Sequence, residues 1–207
     1  MTSRPVCITG MHRSGTSMVA RILLECGVDL GPREDLLEPN TGNREGYWEN
    51  RRFNELNDRL LDRLGGGWDV PPKLAEGWEN DEELLELKEL ARELVAEFPT
   101  DRPWGWKDPR TSLTLAFWRQ VVPGLNVVVC VRDPIEVSHS LSRRDSSSEA
   151  FGLRLWLAYN RAILDSTSAG ERIVTHYDSY FADPDGEIGR LASQLDLPVT
   201  RVAAALS

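Results

Sequence analysis

Apolar and polar positions fall in blocks whose period switches repeatedly between that of a strand and that of a helix. Val6-Cys7-Ile8-Thr9 is a short β-prone run. A loop holding Gly10 and Gly15 follows, and from Thr16 and Ser17 the stretch Met18 to Cys26 carries apolar residues at helical spacing. Gly27 and the Gly31-Pro32 pair stop that helix. Residues 33–50 are polar and predict a long loop ending in Glu45-Gly46-Tyr47-Trp48-Glu49-Asn50; loops of that length in compact domains tend to carry function. Phe53, Leu56, Leu60, Leu61 and Leu64 then recur as a helix until the Gly65-Gly66-Gly67 run. Asn80 or Asp81 caps a further helix, with Glu82 and Glu83 in its first turn and Leu84, Leu87, Ala91, Leu94 and Phe98 on one face. That stripe covers barely two heptads, which favours packing within its own domain over a coiled-coil seam.

In the second half, Trp104-Gly105-Trp106-Lys107 predicts a short strand and Leu113–Trp118 a helix. Asn126–Val131 is a nearly continuous β-branched run, suited to a central parallel strand buried on both faces. Asp133 is placed to cap the next helix, with Pro134 in its first turn and Ile135, Val137 and Leu141 along it. Arg143 to Ser148 predicts a mobile loop, Phe151–Ile163 another helix, Arg172–Tyr177 a last strand, and Asp183-Pro184 the start of a final helix through Ile188, Leu191, Ala192 and Leu195. Strands alternating with helices predict an α/β protein: a three-layer fold with a central parallel sheet flanked by helices on both faces. Ligands of such folds bind at the carboxyl ends of the strands, the edge that carries the Gly10–Ser17 loop, Lys107 and Arg132.

The 207 residues suit one domain, 1–207. With 33 acidic against 24 basic residues the net charge is −9, which argues against a nucleic-acid groove; an anionic ligand must be held by a few concentrated cations. No apolar run reaches the roughly 18 residues of a membrane span. Met1-Thr2-Ser3-Arg4-Pro5 leads directly into the first strand with no signal-peptide pattern. Cys7, Cys26 and Cys130 are scattered among apolar segments without metal-ligand spacing and read as small core residues in a reducing compartment. A cytoplasmic protein is the expectation. Trp104, Trp106, Trp118 and Trp156 read as core and cleft-wall packing, His139 and His176 as packing residues, and Asp108 and Arg110 as local pairing or capping groups.

A strand, a glycine loop and a helix N-terminus together make an anion site, because glycines admit close backbone approach and the first helical N–H groups point at the ligand. Arg13 adds a fork of donors matched to phosphate or sulfate. The nucleotide-triphosphate loop G-x-x-x-x-G-K-[ST] shares the Gly10-to-Gly15 spacing, but Thr16 stands where its lysine belongs and the cation has moved to Arg13.

The residues resemble the sulfotransferases that use 3′-phosphoadenylyl sulfate (PAPS), in their bacterial and carbohydrate-type branch. Their P-[KR]-[ST]-G-T-[TS] core stands here as His12-Arg13-Ser14-Gly15-Thr16-Ser17, with His12 in place of proline. A strand-ending arginine and a serine eight residues on are matched by Arg132 and Ser140, and Tyr-[DE]-x-x-x-x-Asp-Pro by Tyr177 to Pro184. The Gly-Tyr-[FW]-Glu segment at 46–49 and the Lys-Asp-Pro-Arg segment at 107–110 also belong to that branch.

The resemblance implies a P-loop-like fold in which Arg13, Ser14, Gly15, Thr16 and Ser17 contact the 5′-phosphosulfate. Arg132 and Ser140 hold the 3′-phosphate, and Tyr177 lies near the adenine. It implies in-line transfer of a sulfuryl group to a hydroxyl or amine, with adenosine 3′,5′-bisphosphate as product and no metal required. The acceptor class (sugar, lipid, peptide or natural product) stays open. Arg13 and Lys107 are the candidates for stabilising the leaving group. Pro109 stands where small-molecule members carry a catalytic histidine, so Glu49 is the candidate base, ahead of Glu45 and Glu34; His12 reads as structural or phosphate-adjacent. The basic Arg-Lys-Gly segment that closes the nucleotide site in many members is missing, and only Arg201 stands near the C-terminus. An inactive nucleotide-binding relative is the main alternative, and an atypical P-loop kinase a weaker one.

Overall fold

The computed structural model describes residues 4–38 and 46–197. Their elements run β1 (Val6–Thr9), α1 (Thr16–Glu25), α2 (Arg51–Arg63), α3 (Leu85–Ala96), β2 (Gly105–Lys107), α4 (Thr111–Val121), β3 (Asn126–Val131), α5 (Pro134–Asp145), α6 (Glu149–Ser166), β4 (Arg172–His176), α7 (Ser179–Ala182) and α8 (Pro184–Gln194). The four strands form one sheet in the order β2-β1-β3-β4, and every pairing is parallel. Val6 to Thr9 lie beside Asn126 to Val129, and Val127 to Val131 beside Arg172 to His176.

Both faces of this sheet are covered, which is why the strand residues are apolar almost without alternation. Val6, Ile8, Val128 and Cys130 point to one side and pack with α1, Tyr180 and α8. Cys7, Val127 and Val129 point to the other, against α4 and α6, with α2 and α3 outside β2. There Phe53 stacks on Trp106 at a 4.7 Å centroid distance and lies 5.2 Å from Trp118. Cutting Phe53 back to alanine in such a cluster costs about 3–5 kcal/mol. The stripe from Leu84 to Phe98 is buried in the same cluster, so it packs within its own fold. Cys7, Cys26 and Cys130 are free thiols, all buried.

Two expectations need correction. Arg143, Arg144 and Asp145 are helical, the last turn of α5; Ser146 ends that helix in the left-handed region (φ 53°) and Ser148 caps α6 through Phe151 N–H. Serines that suggest loop from sequence are here the C-terminal and N-terminal caps of two abutting helices. His139 and His176 are exposed rather than packed, and His139 Nε2 lies 3.0 Å from Glu149 Oε1. Residues 39–45 of the polar stretch, with Glu45, and the C-terminal residues with Arg201 lie outside the described residues. The part of the 33–50 stretch that is described holds a short 3-10 turn at Arg33–Asp35 and is closed by a bridge between Leu36 and Asn50.

Candidate functional site

Strand order places the site. β2 lies on one side of β1 while β3 and β4 lie on the other, so the sheet has its switch point between β1 and β3. Folds of this kind bind their ligands at that point, outside the carboxyl ends of the strands. The loop after β1 and the segment after β3 both leave their strands at that edge.

The loop is shaped by backbone conformations that few side chains tolerate. Gly10 (φ 135°) passes so close to β3 that a Cβ would sit 2.3 Å from the Cys130 carbonyl oxygen. Arg13 itself is left-handed at φ 72°, and Gly15 at φ 91° precedes α1 without offering any side chain as a cap. No acidic residue occupies the first turn of α1. An uncapped N-terminus with its dipole unopposed favours an anion. The Ser14 hydroxyl is buried with no hydrogen-bond partner among the described residues.

Arg13 Nε donates to Ser140 Oγ over 2.9 Å, tying the loop to α5. Burial and the neighbouring Arg144 and Arg132 push the Arg13 pKa below its ordinary value, the mark of cations crowded together. The Arg132 guanidinium carbon lies over the Tyr177 ring, 4.1 Å from its centroid, while Nε donates to Glu136 over 2.7 Å. Tyr177 in turn backs onto the glycine loop, since a Cβ on Gly15 would lie 2.5 Å from its ring. Arg13, Arg132, Ser140 and Tyr177, drawn from three chain segments, thus meet at one point.

On the other side Lys107, at the end of β2, is almost fully buried (side chain 2% exposed). Its ammonium donates to Glu49 Oε1 at 2.6 Å, to the Tyr47 carbonyl at 3.0 Å and to Ser17 Oγ at 3.2 Å. These three acceptors match its three protons. Two backbone features allow it. Gly46 (φ 94°) and Trp48 (φ 55°) are left-handed on either side of Tyr47, bringing both the Tyr47 carbonyl and the Glu49 carboxylate to one nitrogen. For a tryptophan that conformation costs about 1–2 kcal/mol. Leu37 N–H holds the Glu49 carbonyl at 2.8 Å, and Asn50 caps α2 through Arg52 N–H, so Glu49 is fixed just ahead of a helix N-terminus. Asn54 donates to Glu49 Oε2 at 2.8 Å. Glu34, the weaker competitor, is exposed.

Behind this pair lies Asp108, fully buried, with Asn57 donating to Oδ2 at 2.9 Å and Arg110 N–H to Oδ1 at 2.9 Å. Burial raises its pKa to about 6 against the lowering pull of Arg110. The Arg110 guanidinium is bracketed by Asp58 (2.7 Å), Asp108 (3.3 Å) and Glu49 (3.7 Å). Asp108 and Arg110 do pair locally, as their positions suggest, but they also join Glu49.

His12 is buried between Trp68 and Tyr159, at centroid distances of 5.0 and 5.7 Å. Burial, with Arg110, Arg144, Lys107 and Arg13 around it, holds its pKa well below the usual histidine value, so the imidazole is neutral. Five cations therefore surround this edge of a chain whose net charge is −9.

Sequence reasoning missed Arg144, Asn54 and Asn57. Arg144 was hidden by the serine run. Asn57 had one signal: a polar residue four places after Phe53, on the apolar face of α2. It bonds Asp108 and Thr111 through Nδ2, and Thr114 and Trp118 through Oδ1, so each of its polar atoms is satisfied.

The fold is that of a P-loop-like α/β protein, with basic side chains gathered around its switch point. The sulfotransferase family profile matches residues 5–201, and the chain belongs to that family. Among solved structures it is similar to sulfotransferase STF9 from Mycobacterium avium, with 13% identity, 99% of this chain and 67% of that one covered, and a TM-score of 0.63. It is also similar to the sulfotransferase domain of the Synechococcus PCC 7002 olefin synthase (17% identity, 100% and 78% covered, TM-score 0.58). A sulfotransferase from Alicyclobacillus acidocaldarius gives 14% identity, 96% and 83% coverage and a TM-score of 0.53. At such identities the likeness is one of fold. No curated protein matches the sequence significantly. No helix among the described residues is long and apolar enough to cross a membrane.

Proposed function

We propose that this chain transfers a sulfuryl group from PAPS to a hydroxyl or amine acceptor. The observation that carries this reading is the meeting of Arg13, Arg132, Ser140 and Tyr177 at the switch point, where a bisphosphorylated adenosine needs cations on two sides and a flat surface beside them. The residues fit such a donor. Ser14 has a buried hydroxyl with no partner among the described residues, and the first turn of α1 is uncapped. Arg13 and the Ser14–Ser17 segment are the candidates for the 5′-phosphosulfate, Arg132 and Ser140 for the 3′-phosphate, and Tyr177 for the adenine.

PAPS, when bound, supplies an electrophilic sulfur on a phosphate leaving group. The protein's part is positioning and charge stabilisation. Glu49, paired with Lys107 Nζ, takes the proton of the acceptor hydroxyl or amine. Arg13, within the glycine loop, and Lys107, bonded to Ser17 at its end, balance negative charge developing on the departing oxygen. Lys107 contacts both Glu49 and Ser17, so the base and the anion loop share one cation and stay in register.

The test pairs binding with transfer. Calorimetry should show adenosine 3′,5′-bisphosphate binding at least about tenfold more tightly than 5′-AMP or ATP, a gap of about 1.4 kcal/mol. Radiolabelled sulfuryl groups should then pass from PAPS to acceptors in a screened panel. Tighter binding of ATP than of the bisphosphate rejects the reading. Tight bisphosphate binding with no sulfuryl release to any acceptor, water included, identifies an inactive relative instead.

A further inference from the structure

We propose that Arg110 is a positioning residue for this transfer: clamped by Asp58 and Asp108, its guanidinium fixes the orientation of the Glu49 carboxylate against Lys107. The inference rests on the reading of Glu49 as the group that accepts the proton.

A carboxylate ahead of a helix can rotate about its terminal torsion, and only one rotamer serves a given acceptor. Lys107 takes Oε1 and Asn54 takes Oε2. Arg110 Nη1 adds a second cation 3.7 Å from Oε2. The guanidinium is itself fixed from two directions. Asp58, on α2, lies 2.7 Å from Nε, and Asp108, ahead of α4, lies 3.3 Å from Nη1 and also accepts the Arg110 backbone N–H. Asn57 holds the far oxygen of Asp108. A continuous chain thus runs from the interior of α2 through Asn57, Asp108, Arg110, Glu49 and Lys107 to Ser17 in the anion loop. A planar fork suits this place better than an ammonium, because three carboxylates approach it from separate directions.

Charge supports the same role. Lys107 and Arg110 face the three carboxylates Glu49, Asp58 and Asp108. Arg110, from its own segment, faces Asp108. Glu49 and Asn57 face it from the α2 side, Cys7 from β1 and Tyr159 from α6. Arg110 lowers the Asp108 pKa and Glu49 raises it. Removing the arginine therefore drives the Asp108 pKa above its present value of about 6 and leaves Glu49 beside an uncompensated carboxyl.

The experiment compares wild type with R110Q, R110K and D58N in three readouts. These are the dissociation constant of adenosine 3′,5′-bisphosphate, the rate of labelled sulfate release from PAPS to water across pH 5–8, and the carbon-NMR titration of the Asp108 carboxyl. R110Q is expected to keep nucleotide affinity within about twofold and to lose about tenfold or more in rate. Its acid limb and its Asp108 midpoint both move to higher pH. R110K should restore part of each, and D58N should shift them in the same direction by less; D58N also serves if R110Q does not fold. Nucleotide affinity falling in step with the rate overturns the proposal, as does an R110Q rate profile identical to wild type. Failure of the wild type to bind the bisphosphate instead removes the sulfotransferase reading beneath it.

Discussion

Arg13 Nε and Ser140 Oγ lie 2.9 Å apart although 127 positions separate them in the chain. One belongs to the loop after β1, the other to the helix after β3, and the parallel pairing of those strands makes them neighbours. Whatever anion the loop receives is therefore also within reach of the Arg132 segment. The resemblance implies that these residues hold the two phosphate ends of one nucleotide.

Arg132→Ala should remove the preference for a 3′-phosphate. The bisphosphate-to-5′-AMP affinity ratio is expected to fall from at least about tenfold to near one, a loss of about 1.4 kcal/mol or more. The Tyr177 ring also loses the guanidinium over its face, so adenine-dependent fluorescence changes should shrink as well. A ratio unchanged in calorimetry would place the 3′-phosphate elsewhere.

Gly15→Ala tests the loop. At φ 91° an alanine is strained by about 1–2 kcal/mol, and its Cβ would meet Tyr177 at 2.5 Å. The ring must move, taking Arg132 with it. The melting temperature should drop by about 2–8 °C, with weaker bisphosphate binding. Gly10→Ala should be worse, because the 2.3 Å contact is with the Cys130 carbonyl, which cannot swing aside. Equal melting temperatures for all three proteins would contradict this geometry.

The Lys107–Glu49 pair is buried, so breaking it from one side should be costly. Glu49→Gln or Lys107→Met alone leaves one buried charge and is expected to destabilise by about 3–5 kcal/mol. The double variant should lose less than either single one, yet all three should be catalytically impaired, Glu49→Gln by about 10²–10⁴. Denaturant melts of the four proteins decide it; additive losses would show that the two groups do not share a burial cost.

Asp108 sets a pH dependence of stability. Its pKa is about 6 in the folded chain against 3.8 for an ordinary aspartate, because burial penalises the charged form. The folded protein therefore binds this proton more tightly than the unfolded one, and the stabilisation is fully present below about 3.8 and lost as pH rises through 6. Relative to Asp108→Asn, wild-type stability should rise as pH falls from 7 to 5. A flat difference over that range, measured by denaturant unfolding, would count against it.

What the sequence determined by itself was local. Val6–Thr9 followed by Gly10 and Gly15, the β-branched run Asn126–Val131, and the Asp133-Pro134 start of α5 were all legible, because each depends on neighbours a few residues away. Alternating strand and helix periods also announced the parallel sheet, and the family resemblance singled out Arg13, Lys107, Arg132, Ser140 and Tyr177.

Only the tertiary structure decided how those groups meet. The position of β1 between β2 and β3 puts Lys107 and Arg132 on opposite sides of the glycine loop, and strand order is set by packing across the whole sheet. Glu49 was one carboxylate among several in a polar stretch; left-handed Gly46 and Trp48 and the closing bond from Leu37 N–H bring it to Lys107. Asn57 and Arg144 went unrecognised for the same reason. Their partners lie on other elements, and a polar residue's role depends on what the fold places opposite it.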